Sequence, residues 1–202
     1  MENFLVLGSS LARQVVQNSE LCEKNIENIL FKGKFDLCSI EKIMKLKNKT
    51  YITIFCLAGN DLLPTKLHKQ NNKFHVCLDS FCLNECMLVY SSLIDILSKY
   101  TKQVIFVEPP PRATYVIMNS NCLFYDGNTA QRFRRVINSI KTTINIGVFS
   151  NQSLLGYLST TNSKICAKDK IHFSKEAIAI IQKQVIEKIC YNEIVRLHAN
   201  PN

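Results

Sequence analysis

The chain has 202 residues, of which 47% are hydrophobic and 20% are charged, and this composition is that of a globular domain with a sizeable core. No apolar stretch approaches the roughly 20 residues that cross a bilayer, and the N-terminus lacks the features of a secretory signal. We therefore expect a single domain over residues 1–202 that has no membrane span and lies in the cytoplasm.

Charge and cysteine content limit the classes of partner and compartment. The nine cysteines are odd in number and scattered, which favours reduced, mostly buried thiols over a disulfide framework. The formal charge of +9 would attract nucleic acid, an anionic membrane or an acidic partner. A solvated lysine-rich surface would carry the same charge, so the charge alone does not identify a partner.

The first predicted elements are a strand, a tight turn and a helix. The apolar run 4–7 leads into Gly8-Ser9-Ser10, and helix-forming residues follow to about residue 19. A hydroxyl at such a turn lies at the carboxyl end of a strand and beside a helix N-terminus, where negative charge is favoured. Acyl-transfer chemistry needs both features, so Ser10 is a candidate nucleophile. The alternative is that Ser10 only caps the helix.

Strand-like and helix-like segments alternate along the rest of the chain. Five apolar strands interleaved with helices predict a three-layer α/β/α sandwich of flavodoxin-like type, with a parallel sheet that binds ligands at its carboxyl edge. We predict no regular structure, apart from one short helical turn, in the segments between these elements at 62–80, 109–127 and 150–168. The further predicted strands are about 25–31, 51–57, 103–107 and 144–149, and the further predicted helices are 40–46 with Ser39 as cap, 83–100, 128–143 and 174–191.

Four short motifs fall at strand ends or in loops. Under the predicted fold the first three lie on one edge of the sheet, and the fourth precedes the last helix and can fold over that edge. The motifs are Gly8-Ser9-Ser10-Leu11, Lys32-Gly33-Lys34, Ala58-Gly59-Asn60-Asp61 and Asp169-Lys170-Ile171-His172.

In this order the motifs resemble the sequence blocks of the SGNH hydrolases, also called the GDSL esterase/lipase family. The resemblance covers nearly the whole chain. It implies a serine nucleophile at Ser10, a base at His172 oriented by Asp169, and an oxyanion hole made by Ser10, Gly33 and Asn60. It also implies hydrolysis of a small acetyl or acyl ester without a metal or cofactor.

Two positions depart from the family pattern. Ser9 stands where the family has Asp, and Ala58 replaces the usual glycine of the third block. These departures leave open a catalytically silent SGNH fold that serves as a binding module. The stretch 107–112, which contains three prolines and Arg112, resembles SGNH-like domains of mobile elements and viruses, and with the basic charge it leaves open an accessory domain that contacts nucleic acid.

Each candidate residue also has a purely structural interpretation. Gly33 can serve a positive φ angle, Asn60 can be a turn residue with Asp61 as the cap of the next turn, and Asp169 with His172 can cap the last helix. A zinc site from His75, Cys77, Cys82 and Cys86 fits no common ligand spacing. Arg112 can approach an anionic substrate, whereas Arg132, Arg134 and Arg135 are expected to form a solvated helix face.

Overall fold

The computed structural model describes residues 4–17, 26–62, 67–70, 73–76, 82–110, 115–118, 121–124, 129–157, 165–167 and 172–199. The strands in this part of the chain are Phe4–Gly8 (β1), Glu27–Leu30 (β2), Thr53–Leu57 (β3), Leu67–Gln70 (β4), Lys73–Val76 (β5), Gln103–Val107 (β6), Tyr115–Met118 (β7), Asn121–Phe124 (β8) and Asn145–Phe149 (β9). The helices are Ser10–Val16 (α1), Leu37–Lys47 (α2), Leu83–Ser98 (α3), Thr129–Ser139 (α4), Asn151–Tyr157 (α5) and Lys175–Ala199 (α6), and a 3-10 turn covers Asn60–Leu62.

The main sheet has five parallel strands in the order β2-β1-β3-β6-β9. This is the doubly wound flavodoxin-like order, and it confirms the predicted α/β/α fold. Side chains of α2, α3 and α4 share one core cluster with Leu5 and Leu7, while α1, α5 and α6 share the other with Phe4 and Val6. Because β1 is covered on both faces, its sequence is continuously apolar rather than alternating.

Gly8 is required by the close approach of β1 to β3. A Cβ atom at this position would lie 2.0 Å from the carbonyl oxygen of Leu57 and 2.7 Å from the Cβ of Ala12. A backbone carbonyl cannot move away without breaking the strand pairing, so a side chain is excluded at Gly8. The turn that carries Ser10 therefore starts directly against the end of β3.

The prediction of irregular structure at 62–80 and 109–127 is wrong, because these segments contribute a second sheet of order β4-β5-β8-β7. Strands β4 and β5 are antiparallel and separated by two residues, as are β7 and β8, and β5 pairs with β8 in parallel. Polar two-residue linkers, Asn71-Asn72 and Asn119-Ser120, are a hairpin signal that the sequence contains. Both hairpins are inserted in connections that leave the carboxyl edge of the main sheet.

The helices also differ from prediction. Asp36, not Ser39, caps α2: its carboxylate accepts hydrogen bonds from the Ser39 amide at 3.0 Å and the Ser39 hydroxyl at 2.6 Å. Helix α5 lies inside the predicted loop 150–168. Helix α6 continues to Ala199 rather than ending at 191, since no glycine or proline interrupts the sequence before Pro201.

The described cysteine thiols differ in their exposure to solvent. The six cysteines whose side chains the structure describes are all free thiols, and Cys56 and Cys86 are buried, whereas Cys38 and Cys82 are exposed. The prediction of mostly buried thiols is thus met at only part of these positions. Within the described ranges, no helix has the length and apolar character that crossing a bilayer requires.

Candidate active site

Ser10 is the first residue of α1 and is half-buried at the carboxyl edge of the main sheet. Backbone hydrogen bonds hold the preceding turn to both neighbouring segments. The Ser9 amide donates to the Leu57 carbonyl at 3.2 Å, and the Phe31 amide donates to the Gly8 carbonyl at 3.0 Å. The hydroxyl-bearing turn is therefore fixed between the chain that leaves β2 and the chain that leaves β3.

Gly33 and Asn60, the two further oxyanion candidates, are in direct contact. The Asn60 side-chain amide donates to the Gly33 carbonyl at 3.1 Å. Gly33 has a φ of +76°, and among the described residues, apart from its two chain neighbours, no atom lies within 4 Å of the place a Cβ would take. Its glycine is thus required by backbone conformation rather than by space, and this left-handed conformation brings the loop after β2 to the Asn60 turn.

Asp61 forms a second link between the same two loops. It is buried, and its Oδ1 accepts a hydrogen bond from the Phe35 amide at 2.8 Å, whereas the following turn that it was predicted to cap lies outside the described residues. Burial raises the pKa of the Asp61 carboxyl above its usual range. The buried Cys86 thiol donates to the Asp61 carbonyl at 2.8 Å, which ties the turn to α3 as well.

His172 is half-buried and lies three residues before α6. Its carbonyl accepts from the Ala167 amide at 2.9 Å, and the adjacent Phe173 is buried in the core that includes α1. Helix α6 lies against α1, because the Gln182 side-chain amide donates to the Val15 carbonyl at 2.8 Å. His172 thus precedes a helix that packs on the helix begun by Ser10, while Asp169 falls outside the described residues.

The two positions that depart from the family pattern are both inaccessible to solvent. Ser9 is 1% exposed and Ala58 is 3% exposed. Among the described residues, the Ser9 hydroxyl oxygen has no hydrogen-bond partner. A substrate that approaches from solvent would therefore contact the groups around Ser9 and Ala58 rather than the side chains of these two residues.

Glu108 is a buried acidic residue at the end of β6 whose structural role the sequence did not indicate. It follows β6 and is 1% exposed; its Oε1 accepts from Arg134 Nε at 2.7 Å and its Oε2 from the Asn151 amide at 2.6 Å. The Asn151 side chain also donates to the Pro109 carbonyl at 2.8 Å. Glu108 therefore joins the end of β6 to α4 and to the start of α5. The only sequence signal is an acidic residue placed directly between an apolar strand and prolines.

The predicted solvated face of α4 is wrong only for Arg132, since the side chain of Arg134 is 62% exposed although it forms an ion pair. Arg134 is the partner of Glu108, and half-buried Arg132 donates from Nη1 to the Leu62 carbonyl at 3.2 Å. Arg135 is exposed as predicted. Helix α4 thus reaches the turn that carries Asn60 through Arg132.

A cavity of about 300 Å³ lies on the sheet face between β6, β9 and α6. Its lining includes Phe55, Ile105, Val107, Ile181 and Val185. In the part of the chain that the structure describes, no group of three His, Cys, Asp or Glu side chains is arranged to hold a metal ion. The side chains of His75 and Cys77 lie outside that part.

Comparison with solved structures identifies proteins of similar fold. No protein-family model matches the chain, and no curated protein sequence is significantly similar to it. Among solved structures, a GDSL-like lipase from Bacteroides thetaiotaomicron aligns with a TM-score of 0.60 at 14% identity, covering 93% of this chain and 89% of the lipase. The acetyl xylan esterase AlAXEase aligns with a TM-score of 0.58 at 13% identity, covering 93% of this chain and 99% of the esterase.

A third structure is Axe2, an acetylxylan esterase from Geobacillus stearothermophilus. It aligns with a TM-score of 0.56 at 16% identity, covering 93% of this chain and 94% of Axe2. The chain therefore has the fold of the SGNH hydrolases, the class that includes GDSL-like lipases and acetyl xylan esterases. The resemblance of residues 107–112 to domains of viruses and mobile elements stays a prediction.

Proposed function

We propose that the protein is a serine hydrolase that cleaves a small carboxylic ester through an acyl-enzyme on Ser10. The observation that carries the proposal is the contact between Asn60 and Gly33 beside the Ser10 turn, within a fold shared with esterases. Ser10, Gly33 and Asn60 belong to three segments that are far apart in sequence. Each segment supplies one of the groups that acyl transfer requires at the carboxyl edge of the main sheet. A purely structural role for Ser10 would not require Asn60 and Gly33 to meet there.

The chemistry follows from the proposed roles. His172 accepts the proton of the Ser10 hydroxyl while Oγ attacks the ester carbonyl carbon, and it then gives that proton to the departing alkoxide. Asp169 holds the imidazole tautomer and stabilises the imidazolium. The backbone amides of Ser10 and Gly33 and the Asn60 side chain donate to the tetrahedral oxyanion. Water, deprotonated by His172, then releases the acyl group as a carboxylic acid and restores the Ser10 hydroxyl.

The comparisons suggest the first substrates to try. Two of the structures similar to this chain are acetyl xylan esterases, which makes an acetyl ester of a sugar the first candidate, and lipid or other acyl esters the next. Ser10 is not among the residues that line the cavity near α6, so the volume of this cavity does not indicate the length of the acyl chain.

Active-site labelling tests the proposal directly. A fluorophosphonate probe is expected to label the wild-type protein at Ser10, and Ser10→Ala is expected to abolish both labelling and hydrolysis of p-nitrophenyl acetate. Ser98→Ala is the matched control, because the Ser98 hydroxyl donates to the Asp95 carbonyl at the far end of α3. Folded wild-type protein that neither reacts with the probe nor hydrolyses the ester would instead be the silent binding module.

A further inference from the structure

The cavity between β6, β9 and α6 extends along the whole length of both strands. Three pairs of residues that are neighbours in the strand register line it: Gln103 with Asn145, Ile105 with Gly147, and Val107 with Phe149. A strand rises about 3.3 Å per residue, so these walls run for about 13 Å from the first pair to the last. The volume of about 300 Å³ is therefore elongated, and an extended chain fits it better than a compact ring system does.

Gly147 leaves the middle of this cavity open. Apart from its chain neighbours, the described residues place one atom, Ile105 Cγ1 at 3.4 Å, within 4 Å of the position that a Cβ would take. Ile105 is only half-buried, although Val104 and Phe106 on the opposite face of β6 are buried. The α6 side of β6 is thus covered less completely than the side that packs against α3 and α4.

Polar side chains with unused hydrogen-bond donors lie where the two strands begin. Gln103 Oε1 accepts from the Thr53 hydroxyl at 2.8 Å, while Gln103 Nε2 has no partner among the described residues. Within the same part of the chain, the side-chain amide of Asn145 has none either. The opposite end of the strand walls, at Val107 and Phe149, is apolar. The strand walls therefore change from polar to apolar along the length of the cavity.

Lys188 gives the cavity wall a positive charge. Among the described residues that line the cavity it is the one charged group, and within the described ranges it forms no ion pair. Its Nζ lies 5.5 Å from the centroid of the exposed Tyr191 ring. The next acidic residue, Glu187, does not line the cavity and is paired with Lys183 at 3.7 Å. The Debye length is about 8 Å at physiological ionic strength, so the Lys188 charge attracts an anion through much of the cavity.

We propose that this cavity binds an aliphatic carboxylate of medium chain length, with its chain against Ile105 and Gly147. Burial of the alkyl chain supplies most of the affinity, and Lys188 selects a negative head group over a positive one. An apolar wall with a few polar groups is the usual form of a binding site for such a small molecule. Ser10 does not line the cavity, so this inference does not depend on the hydrolase function proposed above.

Calorimetric titration with two probes of equal chain length tests the inference. Decanoate carries a carboxylate, and decyltrimethylammonium carries a cation on a decyl chain. Wild-type protein is expected to bind decanoate at micromolar concentration, about tenfold or more tightly than the ammonium probe. Gly147→Leu, whose side chain would fill the space beside Ile105, is expected to weaken decanoate binding about tenfold or more.

The charge is tested by a matched pair of substitutions on α6. Lys188→Gln is expected to weaken decanoate binding about fivefold, the loss of one partly exposed ion pair. Lys183→Gln removes the same charge from an exposed residue that does not line the cavity, and it is expected to leave the affinity unchanged. An equal loss in the two variants, or equal wild-type affinity for the two probes, would overturn the selection of an anionic head group by Lys188.

Photolabelling locates the bound chain without relying on a variant that fills the cavity. A decanoate analogue that carries a diazirine on its chain is expected to label peptides from β6, β9 or α6, in wild type and in Ser10→Ala alike. Label on the peptides that contain Ser10, Gly33 or Asn60 would instead show that decanoate occupies the candidate active site, and it would overturn the inference. Unchanged decanoate binding by folded Gly147→Leu would overturn it as well. Hydrolysis of p-nitrophenyl acetate is measured separately and bears on the hydrolase proposal alone.

Discussion

The side-chain amide of Asn60 donates to the backbone carbonyl of Gly33 across 3.1 Å and joins two loops whose contact residues are 27 positions apart. The Asp61 carboxylate adds a second link between the same loops through the Phe35 amide. The relative position of the two proposed oxyanion donors is therefore fixed by side chains of adjacent residues, one facing the site and one facing the core.

Asn60→Ala is expected to lower kcat by a factor on the order of one hundred to one thousand, with a smaller change in KM, because an oxyanion donor acts mainly in the transition state. The measurement is steady-state hydrolysis of p-nitrophenyl acetate. Asn145→Ala is the control, since Asn145 is exposed at the start of β9 on the opposite edge of the sheet. A kcat within threefold of wild type for Asn60→Ala would remove Asn60 from the oxyanion hole.

Gly8→Ala is expected to destabilise the fold by about 3 kcal/mol or more, because the added Cβ would overlap the Leu57 carbonyl oxygen. Urea denaturation followed by circular dichroism measures the change. Gly147→Ala is the matched control within a strand of the same sheet. There the nearest atom to the added Cβ is Ile105 Cγ1 at 3.4 Å, so a change within about 1 kcal/mol is expected. Equal stability of the two variants would contradict the proposed steric requirement.

The Glu27 carboxylate on β2 should make the free energy of unfolding depend on pH. Its carboxylate forms ion pairs with Lys47 and Lys49, which lower its pKa from 4.5 to about 2. Because the folded pKa lies below the unfolded one, this stabilisation is present above about pH 4.5 and is lost as the pH falls towards 2. At pH 7 it is about 1 kcal/mol after allowance for solvent screening.

Glu27→Gln should therefore lower the free energy of unfolding at pH 7, and the difference from wild type should vanish near pH 2. Urea denaturation at a series of pH values provides the measurement. Glu41→Gln is the control, since Glu41 pairs with Lys45 and Lys99 at a more exposed position and should have a smaller effect. A difference between Glu27→Gln and wild type that does not change with pH would rule out the ion pairs as its cause.

Arg134→Gln is expected to destabilise the protein by about 2 kcal/mol, because it leaves the buried Glu108 carboxylate with only the Asn151 amide as a described partner. Arg135→Gln removes the same charge from the next residue of α4, which is exposed, and should change stability by no more than about 0.5 kcal/mol. Thermal denaturation of the two variants side by side distinguishes a specific ion pair from a general effect of charge. Similar melting temperatures would contradict the role given to Glu108.

The strands of the main sheet could be predicted because parallel strands buried on both faces are continuous apolar runs. Residues 103–107 form a strand with the predicted bounds, for example. The second sheet was missed because its strands are only four residues long and three of them mix polar with apolar residues, while β7 is a short apolar run. Only the two-residue linkers signal the hairpins. Helix α5 was missed for a different reason. The amide of its first residue is bound by Glu108, which is 43 residues away, and no local pattern contains that information.

The candidate site likewise contains residues that could be identified from the sequence and residues that could not. Ser10, Gly33 and Asn60 could be selected from short motifs because each lies at the end of a strand, and parallel strands bring their ends together. Their supports could not be selected, since Asp61, Glu108 and Arg132 act through partners in other segments. The surroundings of a charged residue depend on tertiary structure, and for this reason Arg132 was wrongly expected to be solvated.

Strand β5 belongs to the connection between β3 and α3, and β8 belongs to the connection between β6 and α4, yet the two pair in parallel with Phe74 opposite Leu123. Neither hairpin by itself completes the second sheet. A deletion that shortens one connection would expose an unpaired strand edge on the other, and an unpaired edge promotes aggregation. The two insertions are therefore expected to change length together in related sequences, and a truncated form that keeps only one of them is expected to aggregate.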